Sequence, residues 1–149
     1  VFQHGDPGPW NLLITAAGEP AFLDWEAAEP SGMPLWDIFH FLRSYGLRVS
    51  RAAGTEDPMR SFEQQFLDDS ELGRLLARTT SRYCAETGLA RECVKPLFYV
   101  CWVHRALKEV TRLHPDQLNR GRYVNLLRLS IERRESPGLR RLFSLAPVD

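Results

Sequence analysis

Apolar positions along the chain recur at two periods, and the change of period divides it. Near the start, Leu12-Leu13-Ile14-Thr15 and Ala21-Phe22-Leu23 are short apolar runs separated by the turn signal Ala16-Ala17-Gly18-Glu19-Pro20. This is the pattern of two short strands in a hairpin. Asp6-Pro7-Gly8-Pro9 just before them excludes helix, with two prolines and a glycine in four positions. From Pro34 onward the spacing is helical. Leu35, Ile38, Phe39, Leu42 and Tyr45 fall three and four apart, predicting a helix over 35–45. The polar stretch Arg48 to Asp57, with Gly54, reads as an exposed loop. Pro58 to Leu67 predicts a short helix with Met59, Phe62, Phe66 and Leu67 inward.

Asp68-Asp69-Ser70 supplies caps for a further helix that Gly88 ends after Thr87. Its inner stripe is expected at Leu72, Leu75, Leu76, Thr79, Tyr83 and Cys84. Glu92 to Leu113 carries apolar residues around much of its circumference, among them Val94, Phe98, Val100, Cys101, Val103 and Leu107. That predicts a central, nearly enclosed helix. A helix over 118–134 and a short turn over 139–143 complete the chain. The expected fold class is mainly α with a small β-hairpin, in one unit over residues 1–149.

Composition narrows the function classes. Hydrophobic residues at 44% and charged residues at 26% are ordinary for a globular domain and argue against disorder. Lys plus Arg equals Asp plus Glu, 19 each, so the net field favours neither nucleic acid nor an anionic membrane as partner. No apolar run approaches the roughly 20 residues of a bilayer-spanning helix, and no secretory signal pattern is visible. Cys84, Cys93 and Cys101 have no metal-ligand spacing and leave one thiol over in any pairing. They read as free thiols of a reducing, cytoplasmic setting.

Candidate chemistry lies in the opening segment. His4-Gly5-Asp6 is followed by Asn11 five residues after the Asp, and thirteen residues later by Asp24 at the end of an apolar strand. Folding the hairpin returns Asp24 to the neighbourhood of Asn11, so Asp6, Asn11 and Asp24 converge. Mg²⁺ takes a few oxygen ligands from protein and the rest from phosphate and water. Phosphoryl transfer needs that metal on the phosphates and a carboxylate for the proton of the attacking hydroxyl. The Asp-to-Asn spacing is that of the kinase catalytic loop.

His4-Gly5-Asp6-Pro7-Gly8-Pro9-Trp10-Asn11, then Asp24-Trp25-Glu26, then Pro34-Leu35-Trp36-Asp37-Ile38 resembles the aminoglycoside phosphotransferase and choline kinase-like family. Its loop is H-G-D-x-x-x-x-N, its metal motif often D-[FW]-[EG], and its next helix opens on P-x-x-D-[LI]. The resemblance covers Phe2 to about Leu42. It implies the C-terminal, helical lobe of a protein kinase-like fold, with Asp6 as catalytic base. It also implies Asn11 and Asp24 as Mg²⁺ ligands and so part of the nucleotide site, Asp37 as an acceptor bracing the loop, and His4 as support. The implied cofactors are Mg²⁺ and ATP (or GTP). The implied partner is a small-molecule hydroxyl acceptor, an amino sugar, amino alcohol or sugar-like metabolite.

That lobe works with a second one that grips ATP through a Gly-rich loop and a strand lysine. The chain opens on Val1 at the catalytic loop, has no Gly-rich loop, and has its lysines, Lys95 and Lys108, in one predicted helix. The expectation is a catalytic lobe without its N-terminal ATP-binding lobe, inactive when isolated. The alternative, from another class, is a non-catalytic binding or scaffold module that retained the fold.

Other features are set aside. His104 and His114 lack ligands at metal spacing and read as surface or helix-terminal residues. Arg133-Arg134 and Arg140-Arg141 read as a solvated face rather than an anion site. The family resemblance further implies that the late helices shape the acceptor pocket, which makes Trp102, Arg105 and Tyr123 candidates to line it.

Overall fold

The computed structural model describes residues 1–144. Leu12–Ile14 (β1) and Pro20–Phe22 (β2) pair antiparallel with Leu12 opposite Phe22, Leu13 opposite Ala21 and Ile14 opposite Pro20. The ladder extends one step further, the Leu23 N–H donating to the Asn11 carbonyl at 2.8 Å. Six helices follow: α1 (Trp36–Ala52), α2 (Pro58–Phe62), α3 (Glu71–Thr87), α4 (Val94–Val110), α5 (Arg122–Glu132) and α6 (Pro137–Leu142). A π turn, Glu63–Leu67, continues α2. The mainly helical architecture with one two-stranded hairpin agrees with the hydrophobic pattern. No helix among the described residues is long and apolar enough to cross a membrane.

Helix ends follow local chemistry. The Ser70 hydroxyl accepts the Gly73 N–H at 3.0 Å at the start of α3, and Gly88 leaves the helix in the left-handed region at φ 71°. α1 departs from expectation, because it runs seven residues beyond Tyr45, through Arg48 and Arg51, and stops at Ala52 before Gly54. The polarity of 48–52 belongs to one side of a helix, not to a loop. The last long helix also begins later than expected, at Arg122, with a 3-10 turn over Pro115–Arg120 in front of it.

The core is aromatic. Trp102 stands nearly perpendicular to Phe62, Phe66 and Phe98, with centroids 5.7–5.9 Å away, and Phe39 of α1 meets Phe98 edge-on at 5.5 Å. These five rings are buried, joined by Leu76, Cys84, Val94, Leu126, Leu139 and Leu142. Edge-to-face contacts of this kind add about 0.5–1.5 kcal/mol each beyond the area they bury. α6 approaches closely enough that a β-carbon on Gly138 would collide with the Phe66 carbonyl. α4 is less enclosed than its composition predicts. Its Phe98, Cys101 and Trp102 side packs inward, while Val100, Val103 and Leu107 remain exposed, because neighbouring helices cover only part of its circumference. In α3 the buried stripe is Gly73, Leu76, Ala77, Thr80 and Cys84, and Leu75 faces outward.

Candidate functional site

The loop before β1 is held from three sides. Asp37, in the first turn of α1, accepts the backbone N–H of His4 at 2.6 Å and of Gly5 at 3.2 Å. It is the bracing acceptor anticipated at that position. Arg105 of α4 donates to the Gly5 carbonyl at 3.2 Å. His4 is buried, its Nε2 on the Leu23 carbonyl at 2.9 Å and its ring against Trp25 at 4.3 Å. Gly5 turns the chain at φ 85°, and a β-carbon there would collide with the Ala27 carbonyl oxygen. The position therefore requires glycine on both counts.

These restraints place Asp6 in a socket of hydrogen-bond donors. Its Oδ1 accepts from His40 Nε2 at 3.1 Å. Its Oδ2 accepts from Trp10 Nε1 at 3.3 Å and from Asn11 Nδ2 at 3.4 Å. The same Asn11 nitrogen donates to the Asp6 carbonyl at 2.9 Å. Asp6 and Asn11 are thus brought together as the sequence predicts. Asp24 stands one residue past the last rung of the hairpin, with Asn11 on the opposite strand. Its carboxylate is exposed and makes no hydrogen bond or ion pair among the described residues, to Asp6 and Asn11 included.

Asp24 is also left-handed, at φ 59°, one of only two non-glycine residues so placed among those described. The other, Leu35, precedes α1. Such conformations cost about 1–3 kcal/mol and gather at functional sites. Among the described residues no three His, Cys, Asp or Glu side chains form a metal cluster. A Mg²⁺ site asks for less, since the cation takes only one or two protein oxygens beside phosphates. The donor set here is of that kind: Asn11 has its nitrogen committed and its Oδ1 without a hydrogen bond among the described residues, and Asp24 has a free carboxylate.

His40 is the functional residue that sequence reasoning missed. It is buried in α1, and burial, aided by the charge of Arg105, pulls its pKa from 6.5 to about 4 against the opposing pull of Asp6. At neutral pH the Asp6–His40 contact is therefore a hydrogen bond from a neutral ring, not an ion pair. A carboxylate only accepts, so the proton sits on Nε2, and buried Nδ1 has no partner. The signal was a polar stripe on an apolar helix: Asp37, His40 and Arg43 recur every three residues on α1.

This burial has a measurable consequence. The unfolded chain binds a proton at His40 below about pH 6.5, and the folded chain only below about 4. Stability is then flat in pH above 6.5 from this group and falls as the pH drops toward 4, by about 3 kcal/mol in all. Chemical denaturation at pH 7.5 and 4.5 should show a loss that shrinks by roughly 2–3 kcal/mol in His40→Gln. An equal loss in both proteins would contradict the assignment.

Asp6 opens on a cleft of about 550 Å³, lined also by Arg105, Lys108, Glu109, Arg112 and Tyr123. Arg105 and Tyr123 line this cleft, whereas Trp102 is wholly buried, away from it, and stacks on Tyr123 at 6.2 Å. Glu109 is occupied, accepting the N–H groups of Arg122, Tyr123 and Val124 at 2.7–3.3 Å where α5 begins. His104 packs on Trp36 at 4.8 Å, and His114 is exposed beside Asp116. Arg133, Arg140 and Arg141 are ion-paired to Glu63, Asp68, Glu135 and Asp69. None of the three cysteines is disulfide-bonded, and burial pushes the Cys101 thiol up to about 12. No protein-family model, curated protein or solved structure matches the chain.

Proposed function

We propose that the chain is the catalytic lobe of a Mg²⁺-dependent kinase that transfers a phosphoryl group from ATP or GTP to a hydroxyl of a small molecule. In that reading the lobe that grips the nucleotide lies outside these residues, and assays are made on the protein carrying both. The observation that carries the proposal is the Asp6 socket. A carboxylate is fixed by His40, Trp10 and Asn11 at the mouth of a cleft, on a loop anchored by Asp37 and Arg105. Bound Mg²⁺, held by Asn11 and Asp24, would neutralise charge on the phosphates.

The chain's own residues supply position and a proton acceptor. Asp6 orients the acceptor hydroxyl from the cleft and takes its proton as the oxygen attacks the terminal phosphorus, whose bond to the bridging oxygen breaks and releases the nucleoside diphosphate. His40, neutral, donates to one carboxylate oxygen and so fixes the carboxylate's rotation. Trp10 and Asn11 hold the other oxygen. Arg105 ties Gly5, next to the base, to α4 and the cleft wall. This is catalysis by positioning and electrostatics, the pattern expected for phosphoryl transfer.

Calorimetric titration with ATP, with Mg²⁺ and with excess chelator, tests the metal assignment. Binding is expected to depend on Mg²⁺, and Asp24→Ala should weaken the Mg²⁺-dependent part by about tenfold or more, roughly 1.4 kcal/mol. The exposed Asp24 side chain makes no hydrogen bond among the described residues for alanine to break. Asp24→Asn, which tolerates the left-handed backbone at φ 59°, separates loss of the ligand charge from backbone strain. Binding indifferent to both Mg²⁺ and Asp24→Ala would overturn the reading and favour a non-catalytic module.

A further inference from the structure

A second cleft adjoins the Asp6 socket on the α1 side. Its volume is about 240 Å³, and Arg43, Arg48, Arg51 and Arg122 contribute to its lining together with Trp10 and Tyr123. No Asp or Glu lines it. Arg48, Arg51 and Arg122 are exposed, and their side chains make no hydrogen bond or ion pair among the described residues. Four guanidiniums around one small space, without a counter-charge, repel one another. Six arginines elsewhere, Arg60, Arg74, Arg82, Arg133, Arg140 and Arg141, each meet a carboxylate. Others, such as Arg78 and Arg128, also lack one among the described residues, so what sets these four apart is that they gather around one cleft.

Arg43 gives a second, independent indication. It is 5% exposed, it donates through one nitrogen to the Pro58 carbonyl at 3.0 Å, and its other terminal nitrogen is buried with no partner. Burial, with Arg122 and Arg51 nearby, lowers its pKa to about 10, so it remains a cation at neutral pH. A buried guanidinium with a free donor is costly unless an acceptor completes it. Arginine is also the residue whose planar fork matches a carboxylate or phosphate with two parallel bonds.

The cleft is joined to the proposed chemistry. Trp10 and His40 line it and also donate to the two oxygens of Asp6. Tyr123 lines both this cleft and the one at Asp6. We propose that this arginine cleft is an oxyanion subsite for the acceptor, so that the molecule presenting its hydroxyl to Asp6 carries a carboxylate or phosphate group. The assignment to an acceptor rests on the kinase reading above, whereas the anion site stands on the arginines alone. Of the acceptor classes that the sequence resemblance implies, it favours a sugar-like metabolite bearing an acid group over an amino sugar or amino alcohol, whose cation the cleft would repel.

The test is a titration of the full chain, without nucleotide, at low ionic strength. Inorganic phosphate and malonate are the separate probes. At least one is expected to bind, and the tighter of the two names the acid group. The double variant Arg48→Glu/Arg51→Glu and the single variant Arg122→Glu should each lose tenfold or more of that affinity. Arg82→Glu, which makes the same charge change as Arg122→Glu but on the exposed face of α3, should lose less than twofold. Circular dichroism confirms that these surface variants stay folded. Absence of binding to wild type, equal loss in Arg82→Glu, or displacement of the probe by ATP with retention in the cluster variants would overturn the subsite. Because no nucleotide is present in the direct titration, anion binding lost in the cluster variants upholds the subsite even if phosphoryl transfer is never found. Transfer without anion binding upholds the kinase reading alone.

Discussion

Exchanging Asp6 for asparagine is expected to lower phosphoryl transfer by about 10²–10⁴-fold, the usual contribution of a positioned general base. The exchange is chosen for its small structural cost. Asparagine retains one oxygen, which can face the His40 Nε2–H, whose carboxylate bond is 3.1 Å long. Its amide nitrogen then faces the weaker donors Trp10 and Asn11, at 3.3 and 3.4 Å. Losing two long hydrogen bonds at a partly exposed group costs about 1–2 kcal/mol, at the low end of what a hydrogen bond contributes. Alanine would instead leave a buried imidazole donor unsatisfied and confuse stability with chemistry. The decisive readout is kcat at saturating nucleotide and acceptor, with the thermal midpoint measured beside it. Loss confined to KM would make Asp6 a binding residue. A kcat within about threefold of wild type, in a protein that does transfer phosphate, would remove Asp6 as the base.

The features legible in the sequence were those set by local chemistry. Ser70 and Gly88 bound α3 because a hydroxyl cap and a residue free to turn left-handed are short-range requirements. The hairpin was legible because strand ends and the Gly18 turn lie within a dozen residues of one another. Asp37 could be anticipated from the resemblance, and the structure gives it two backbone N–H groups to hold. What was not legible depended on which neighbour each helix face meets. The polarity at Arg48 and Arg51 predicts a loop where α1 in fact continues, because polarity alone does not distinguish a cleft-facing helix from a turn. Val100, Val103 and Leu107 of α4 were read as enclosed because periodicity counts apolar residues and not the helices that cover them. The same error hid the arginine cleft: once α1 is known to reach Ala52, Arg43, Arg48 and Arg51 fall near one another along it. His40 was overlooked for a different reason. A lone histidine in a helix carries no signal until a carboxylate is brought to it from outside that helix.

Replacing Trp102 by alanine is expected to cost about 3–5 kcal/mol of stability, the range for removing a fully buried large aromatic. Against a total of about 5–15 kcal/mol, that is roughly a fifth of the whole or more. Trp102 sits where α4 faces the α2–π turn segment, with Phe62, Phe66 and Phe98 edge-on around it. Its indole nitrogen is buried without a hydrogen bond, so the loss is one of packing, and Trp102→Phe should recover much of it. Two or three of the surrounding rings would have to shift together to fill the space, which keeps the cavity term large. The effect reaches the site as well. Tyr123 stacks on Trp102 with an interplanar angle of 17° and carries its own ring to the wall shared by the Asp6 and arginine clefts. At a temperature where Trp102→Ala remains folded, it should therefore weaken anion binding to the arginine cleft, although no atom of Trp102 lines that cleft. Denaturant midpoints and the phosphate titration on the same samples separate the two consequences. A midpoint within about 1 kcal/mol of wild type would show that the aromatic cluster is not the keystone its geometry implies.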